Sequence, residues 1–123
     1  MKPLLYSIGL FCLFALMAGA CEAKKEVGAE TALMAPASST GRADNDEGVG
    51  HYRQGHWDVA EGHFRKAIKV DANLAHAHFN LGLALDKMGK HDEATAEFKK
   101  AAELAPTTVA IKESPILKKH LGM

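Results

Sequence analysis

The sequence predicts an all-α fold of antiparallel helix pairs stacked as a short α-solenoid. Three observations predict it. Apolar residues recur at helical spacing on both sides of Gly89-Lys90. Small residues stand where paired helices would come closest, at Gly82, Ala94 and Ala101. The same pattern recurs one unit earlier, with Gly48, Gly55, Ala60, Phe64 and Ala67 matching Gly82, Gly89, Ala94, Phe98 and Ala101.

The central unit runs from Ala75 to Pro106. Ala77, Leu81, Ala84, Leu85 and Met88 form the apolar stripe of its first helix; Ala94, Phe98, Ala101, Ala102 and Leu104 form that of its second. Gly89 supplies the turn, because only Gly enters the left-handed region without steric penalty. Asp92 is the expected N-cap of the second helix. Pro106, which has no N–H to donate, ends it. Phe98 is expected to fill the gap between the helices.

These residues resemble the tetratricopeptide repeat, a unit of about 34 residues with the pattern W-x2-L-G-x2-Y, A-x3-F, P. Here His78, Leu81, Gly82, Leu85, Ala94, Phe98, Ala101 and Pro106 carry it, with His78 in place of the Trp and Leu85 in place of the Tyr. The resemblance implies repeats at about 41–74 and 75–108, a C-terminal cap at about 109–121, and a repeat domain over 43–121.

The first unit is more worn. Its second helix, Asp58 to Val70, has a good stripe in Val59, Ala60, Phe64, Ala67 and Ile68. Its first, about Asp44 to Arg53, is polar, with Glu47 and His51 where the second unit has Leu81 and Leu85. A terminal repeat with one unpartnered face is expected to look like this. Asp44 with Glu47 and Asp58 with Glu61 have capping-box spacing, and Asn73 is the expected N-cap of the next helix. At the other end, Val109 and Ile111 are expected to cover the second unit. Ser114-Pro115 should open a short helix carrying Ile116, Leu117 and Leu121.

Residues 1–20 read as a signal peptide: Lys2, an apolar run from Leu4 to Met17, then small residues. Ala18-Gly19-Ala20-Cys21 resembles a bacterial lipoprotein box, which implies lipid attachment at Cys21. The same residues also form an A-x-A site for ordinary cleavage, and retention as an uncleaved anchor is a third reading. Of the two cysteines, Cys12 lies within the signal, so Cys21 has no disulfide partner in the mature chain. Glu22 after the Cys implies, by the same resemblance, the outer membrane rather than the inner. Residues 21–42 are rich in Ala, Ser, Thr, Gly and Glu and read as a flexible tether.

Balanced charge, 15 basic against 15 acidic residues in a chain of 123, gives no nucleic-acid surface. No nucleophile stands beside a His and an acid, and Gly48-Val49-Gly50 lacks the spacing of a dinucleotide loop. The chain reads as a non-enzyme with no cofactor. Its seven histidines show no i, i+4 pair, and read as dispersed surface and packing residues rather than a metal site.

By resemblance, the first helix of each repeat lines a groove that receives a protein or peptide partner. The residues left for it after packing are Tyr52, Arg53, His76, Phe79, Asn80, Leu83, Asp86 and Lys87. Phe79 and Leu83 are expected to face away from the packed stripe, meeting a partner, the C-terminal segment or a second copy. Asn80 matches a position at which some family members hold a peptide backbone. The function read from the sequence is an interaction module tethered to the bacterial envelope and facing the periplasm. The alternatives are a self-associating structural component, since two repeats make a small core, a His-dependent metal carrier, or a soluble secreted or periplasmic form.

Overall fold

A computed structural model describes residues 31–123, so the signal peptide and Cys21 lie outside the described residues. Six helices follow in order: α1 (Arg42–Arg53), α2 (Trp57–Val70), α3 (Ala75–Lys87), α4 (His91–Leu104), α5 (Val109–Lys112) and α6 (Pro115–Leu121). No strand occurs among the described residues, and no helix there is long and apolar enough to cross a membrane. α1 packs on α2, α2 on α3, α3 on α4, and α6 closes the far side of α4. This is a two-repeat solenoid with a C-terminal cap.

The close approach in each repeat is set by a ring and a missing methyl. A Cβ on Gly82 would stand 2.7 Å from the Phe98 ring, and a Cβ on Gly48 would stand 2.6 Å from the Phe64 ring. Both rings are fully buried, and burying a Phe contributes about 1.5–3 kcal/mol. Each pair turns at a glycine of positive φ, Gly55 at 80° and Gly89 at 78°.

α3 departs from the expected stripe. It is buried nearly all round, from Ala75 to Leu85 with only His76 partly exposed. Two sides meet α2 and α4. The side expected to be wet meets residues 31–35, which the sequence assigns to the tether. Ala32 and Ala35 are buried there, at 2% and 7% exposure, so residues 31–35, within the tether expected over 21–42, are packed chain.

Side-chain capping also differs from expectation. α1, α2, α3 and α4 start at Gly41, His56, Leu74 and Lys90, none with a side-chain cap bond. Asp44, Asp58 and Asp92 lie one to three residues inside, in the first turns, where a carboxylate meets the positive helix end without capping it. Asn73 caps nothing; its N–H donates to Asp71 Oδ1 at 3.1 Å in a turn. Ser114 does cap α6, accepting from Leu117 N at 3.2 Å with Pro115 at the first position. Ile111 is fully buried, whereas Val109 is 69% exposed and covers nothing.

Candidate functional site

Four residues of extended chain, Ala32 to Ala35, lie across α1 and α3 and are held mainly by side-chain amides. Leu33 N donates to Asn80 Oδ1 at 2.7 Å, and Asn80 Nδ2 donates back to Leu33 O at 2.7 Å. One carboxamide thus takes both backbone groups of one residue, as a neighbouring strand would. Asn45 Nδ2 adds a second donor to Leu33 O at 3.0 Å, and Asn80 Nδ2 also donates to Asn45 Oδ1 at 2.8 Å. Both asparagines are fully buried. Their orientation is fixed because each donor meets an acceptor.

Two residues further on, Ala35 N donates to Asp46 Oδ1 at 2.9 Å. Burial alone pushes the Asp46 carboxyl up. The Ala35 N–H, the Asn45 amide and the Arg42 guanidinium outweigh it together and hold the group below its ordinary value. Arg42 Nε reaches Asp46 Oδ2 at 3.1 Å across one helical turn. Nearby His76 is lowered by burial, with the Asp46 charge opposing.

The other expected groove residues fall into three places. Arg53 and Lys87, with Thr31, Ala32, Tyr52, Gly55 and Trp57, line a cleft of about 300 Å³ where residue 31 leaves the groove. Lys87 Nζ stands 5.9 Å from the Trp57 ring centroid, within reach of a cation–π contact. Tyr52 is buried at 7% exposure with only its edge on that cleft. Phe79 and Leu83 are not surface residues: they are 1% and 0% exposed, in one cluster with Ala32, Ile111 and Leu117, and Phe79 tilts on Phe98 with centroids 5.7 Å apart.

Asp86 faces the cap instead of the groove. Its Oδ1 accepts from His91 Nδ1 at 2.8 Å and from His120 Nε2 at 2.9 Å, tying α3, α4 and α6 together. Burial pushes the Asp86 carboxyl up, and the two histidines outweigh it and lower it. His78, in the place where the repeat pattern has Trp, is likewise held in the core. Its Nδ1 donates to Glu97 Oε2 at 2.7 Å and its Nε2 to Ala72 O at 2.9 Å. Two acceptors require two N–H groups, so the ring is the imidazolium. Its pKa is raised accordingly: burial lowers it, and Glu97 with the Ala72 carbonyl more than compensates.

Packing also gathers histidines that the sequence leaves scattered. Asp86, His91 and His120 form one set of three donor atoms within 4.8 Å, already closed by direct hydrogen bonds. Glu47, His51 and His63 form a second set within 4.8 Å. There the His51 and His63 rings stack at 5.2 Å and 7°, and Nδ1 of each is buried with no hydrogen-bond partner. Glu47 Oε2 is 3.7 Å from His63 Nδ1, too far for a hydrogen bond.

Each repeat is a helix pair with a Gly–Phe contact and a turn at a glycine of positive φ. A tetratricopeptide repeat model matches residues 45–107. The chain belongs to the tetratricopeptide repeat family. No curated protein matches it. Within the repeat frame, Asp46 stands one unit before Asn80, the register Gly48 to Gly82 shows, so equivalent positions of the two repeats grip residues 35 and 33 of the same strand. The sequence reading finds Asn80 and misses Asn45 and Asp46, although the Asp46–Asn80 register was available to find one of them.

Proposed function

We propose that the chain is a protein-interaction module, held at the bacterial envelope by lipid on Cys21 and facing the periplasm, that takes an extended peptide along α1 and α3. One observation carries the reading: the Asn80 carboxamide pairs with both backbone groups of Leu33. Such a pair recognises a strand by its main chain, and so binds a conformation before it selects a side chain. Nothing in the site places a nucleophile or an acid–base pair at the groove, and repeats of this family serve binding. The anchor rests on the Ala18-Gly19-Ala20-Cys21 sequence.

A photo-crosslinking residue in place of Lys87, at the open end of the groove, tests the reading in native membranes. A discrete adduct that disappears on Asn80→Ala supports it; adducts indifferent to that change refute it. Palmitate labelling lost on Cys21→Ser tests the anchor separately.

The Glu47, His51 and His63 set favours a second reading, a metal-holding role. Two buried Nδ1 lone pairs beside a carboxylate offer a soft-to-borderline divalent cation such as Zn²⁺ three ligands. Retention of one equivalent of zinc through dialysis, lost in His63→Gln, supports it. Absence of retained zinc in the parent protein rejects it.

A further inference from the structure

We propose that residues 31–35 are a resident, exchangeable ligand of the groove, and that a partner enters by displacing them with a strand of the same kind: small residue, Leu, any residue, small residue. The inference rests on the groove being a peptide site, as proposed above, and adds who occupies it and what the occupant must look like.

The pattern follows from what each position of the segment meets. Ala32 and Ala35 are buried, so small side chains fit their sites, with Ala32 also bordering the cleft beside Trp57 and Lys87. Leu33 is partly buried and packs on the main core cluster. Met34 is 50% exposed, so its position carries no side-chain selection. The backbone contacts have a period of two, Leu33 on Asn80 and Ala35 on Asp46. In an extended strand, residues two apart project to the same face about 6.6–6.8 Å apart, as the N–H grips on Leu33 and Ala35 do, with Asn45 of the first repeat also holding Leu33 O. Leu33 must also supply an N–H, which excludes Pro there.

The segment is joined to α1 by the turn from Pro36 to Gly41, whose hydrogen bonds Ser39 N to Pro36 O and Arg42 N to Ser39 O keep it short. A short connection presents its segment at about millimolar effective concentration. A groove with an intrinsic dissociation constant of about 100 µM would then be closed for roughly nine-tenths of the time, and opening it would raise apparent affinity for an outside strand about tenfold. The segment is held by its hydrogen bonds, two alanine side chains and the partly buried Leu33, a small contact area that suits exchange rather than permanent closure. Release of residues 31–35 frees five residues, about 17 Å of chain at about 3.4 Å per residue, from their contacts with α1 and α3.

The test uses a fluorescein-labelled peptide of residues 28–38, GAETALMAPAS, with the full chain in detergent and its Ala32→Glu and Ala35→Glu variants. Each variant places a charge in a buried position of the segment and leaves α1 and α3 untouched. Expected is about tenfold tighter binding to either variant than to the parent, with no binding of the Leu33→Pro peptide. Equal affinity for parent and variants overturns the resident ligand while leaving the peptide site standing. Binding to none of them overturns the peptide site and this proposal with it. Concentration-dependent dimers of the parent that vanish in the variants also overturn it, since the segment would then be exchanged between copies. A measurement without variants covers loss of folding: excess unlabelled peptide added to nitrogen-15-labelled parent should move the Leu33 and Ala35 amides to unfolded-chain shifts while the Asn80 side-chain amide stays bonded. Unchanged Leu33 and Ala35 amides in the presence of bound peptide sink the displacement.

Discussion

Asp46 and Asn80 hold equivalent positions on the first helices of consecutive repeats, and each takes a backbone N–H from one extended segment, Ala35 at 2.9 Å and Leu33 at 2.7 Å. One acceptor is a carboxylate and the other a neutral amide. The two grips therefore respond differently to acid.

Asp46 has its folded pKa lowered from an ordinary value of 3.8. A group lowered on folding contributes stability above its unfolded pKa, and loses it as pH falls through the folded one. The Ala35 end of the segment should loosen below about pH 4, while Leu33, on Asn80, stays bound until the fold itself gives way. An acid titration followed by the two amide shifts checks this: Ala35 should move first, and Leu33 and Ala35 moving together would refute separate grips.

His78 and His76 should titrate on opposite sides of 6.5, the ordinary histidine value. His78 is raised, so its bond to Glu97 contributes fully below the unfolded pKa and is lost as pH rises through the folded one. His76 is lowered, so its neutral form contributes above the unfolded pKa and that contribution is lost as pH falls through the folded one. The two partly cancel in any melting curve. Ring-proton NMR separates them: His78 should titrate above His76, and Glu97→Gln should bring His78 down without moving His76.

Gly82→Ala should destabilise the protein by about 1–3 kcal/mol, because the added methyl lies 2.7 Å from a fully buried ring that has no room to retreat. For a domain of this size that is a fall in Tm of roughly 5 °C or more. Circular dichroism melts measure it, and a Phe98→Leu change should recover part of the Gly82→Ala loss. A fully additive double variant would mean that the contact does not set the helix approach.

The helix pairs, the glycine turns and the Ser114-Pro115 start were legible in the sequence, as were the close approach at Gly82 and the place of Phe98 between the helices, though not the contact of one with the other. Each depends on residues within one helical hairpin, where spacing fixes contact. The segment at 31–35 was not legible for the converse reason. Its alanines carry no stripe of their own, and they are buried only because Asn45, Asp46 and Asn80, distant in sequence, supply the hydrogen bonds. Phe79 and Leu83 were read as facing away from the packed stripe toward a partner, the C-terminal segment or a second copy. They share a buried cluster with Ile111 and Leu117 of the C-terminal segment, and with Ala32, a cover from outside the repeat pair. His51 and His63 meet across a turn at a stacking distance that only the packing of α1 on α2 sets. The caps expected at Asp44, Asp58 and Asp92 failed for a smaller reason, since α1, α2 and α4 start ahead of these residues, while Asn73 lies one residue before the N-cap of α3.

Asp86 separates a groove role from a structural one. The sequence places it with the partner-binding residues, whereas its carboxylate accepts from His91 and from His120, whose side chain is only 9% exposed. Asp86→Ala leaves the His120 Nε2–H without its acceptor, at a penalty of about 1–3 kcal/mol for an unsatisfied buried donor. The loss should be local, because α6 packs chiefly on α4 and reaches α3 through this carboxylate. Hydrogen exchange should therefore quicken in α6 and the end of α3 while α1 and α2 keep their protection. Binding of the 28–38 peptide to Asp86→Ala, set against the parent, should be unchanged, since Asn80 and Asp46 remain in place. A loss of peptide affinity with undisturbed α6 protection would return Asp86 to the groove and remove it from the cap.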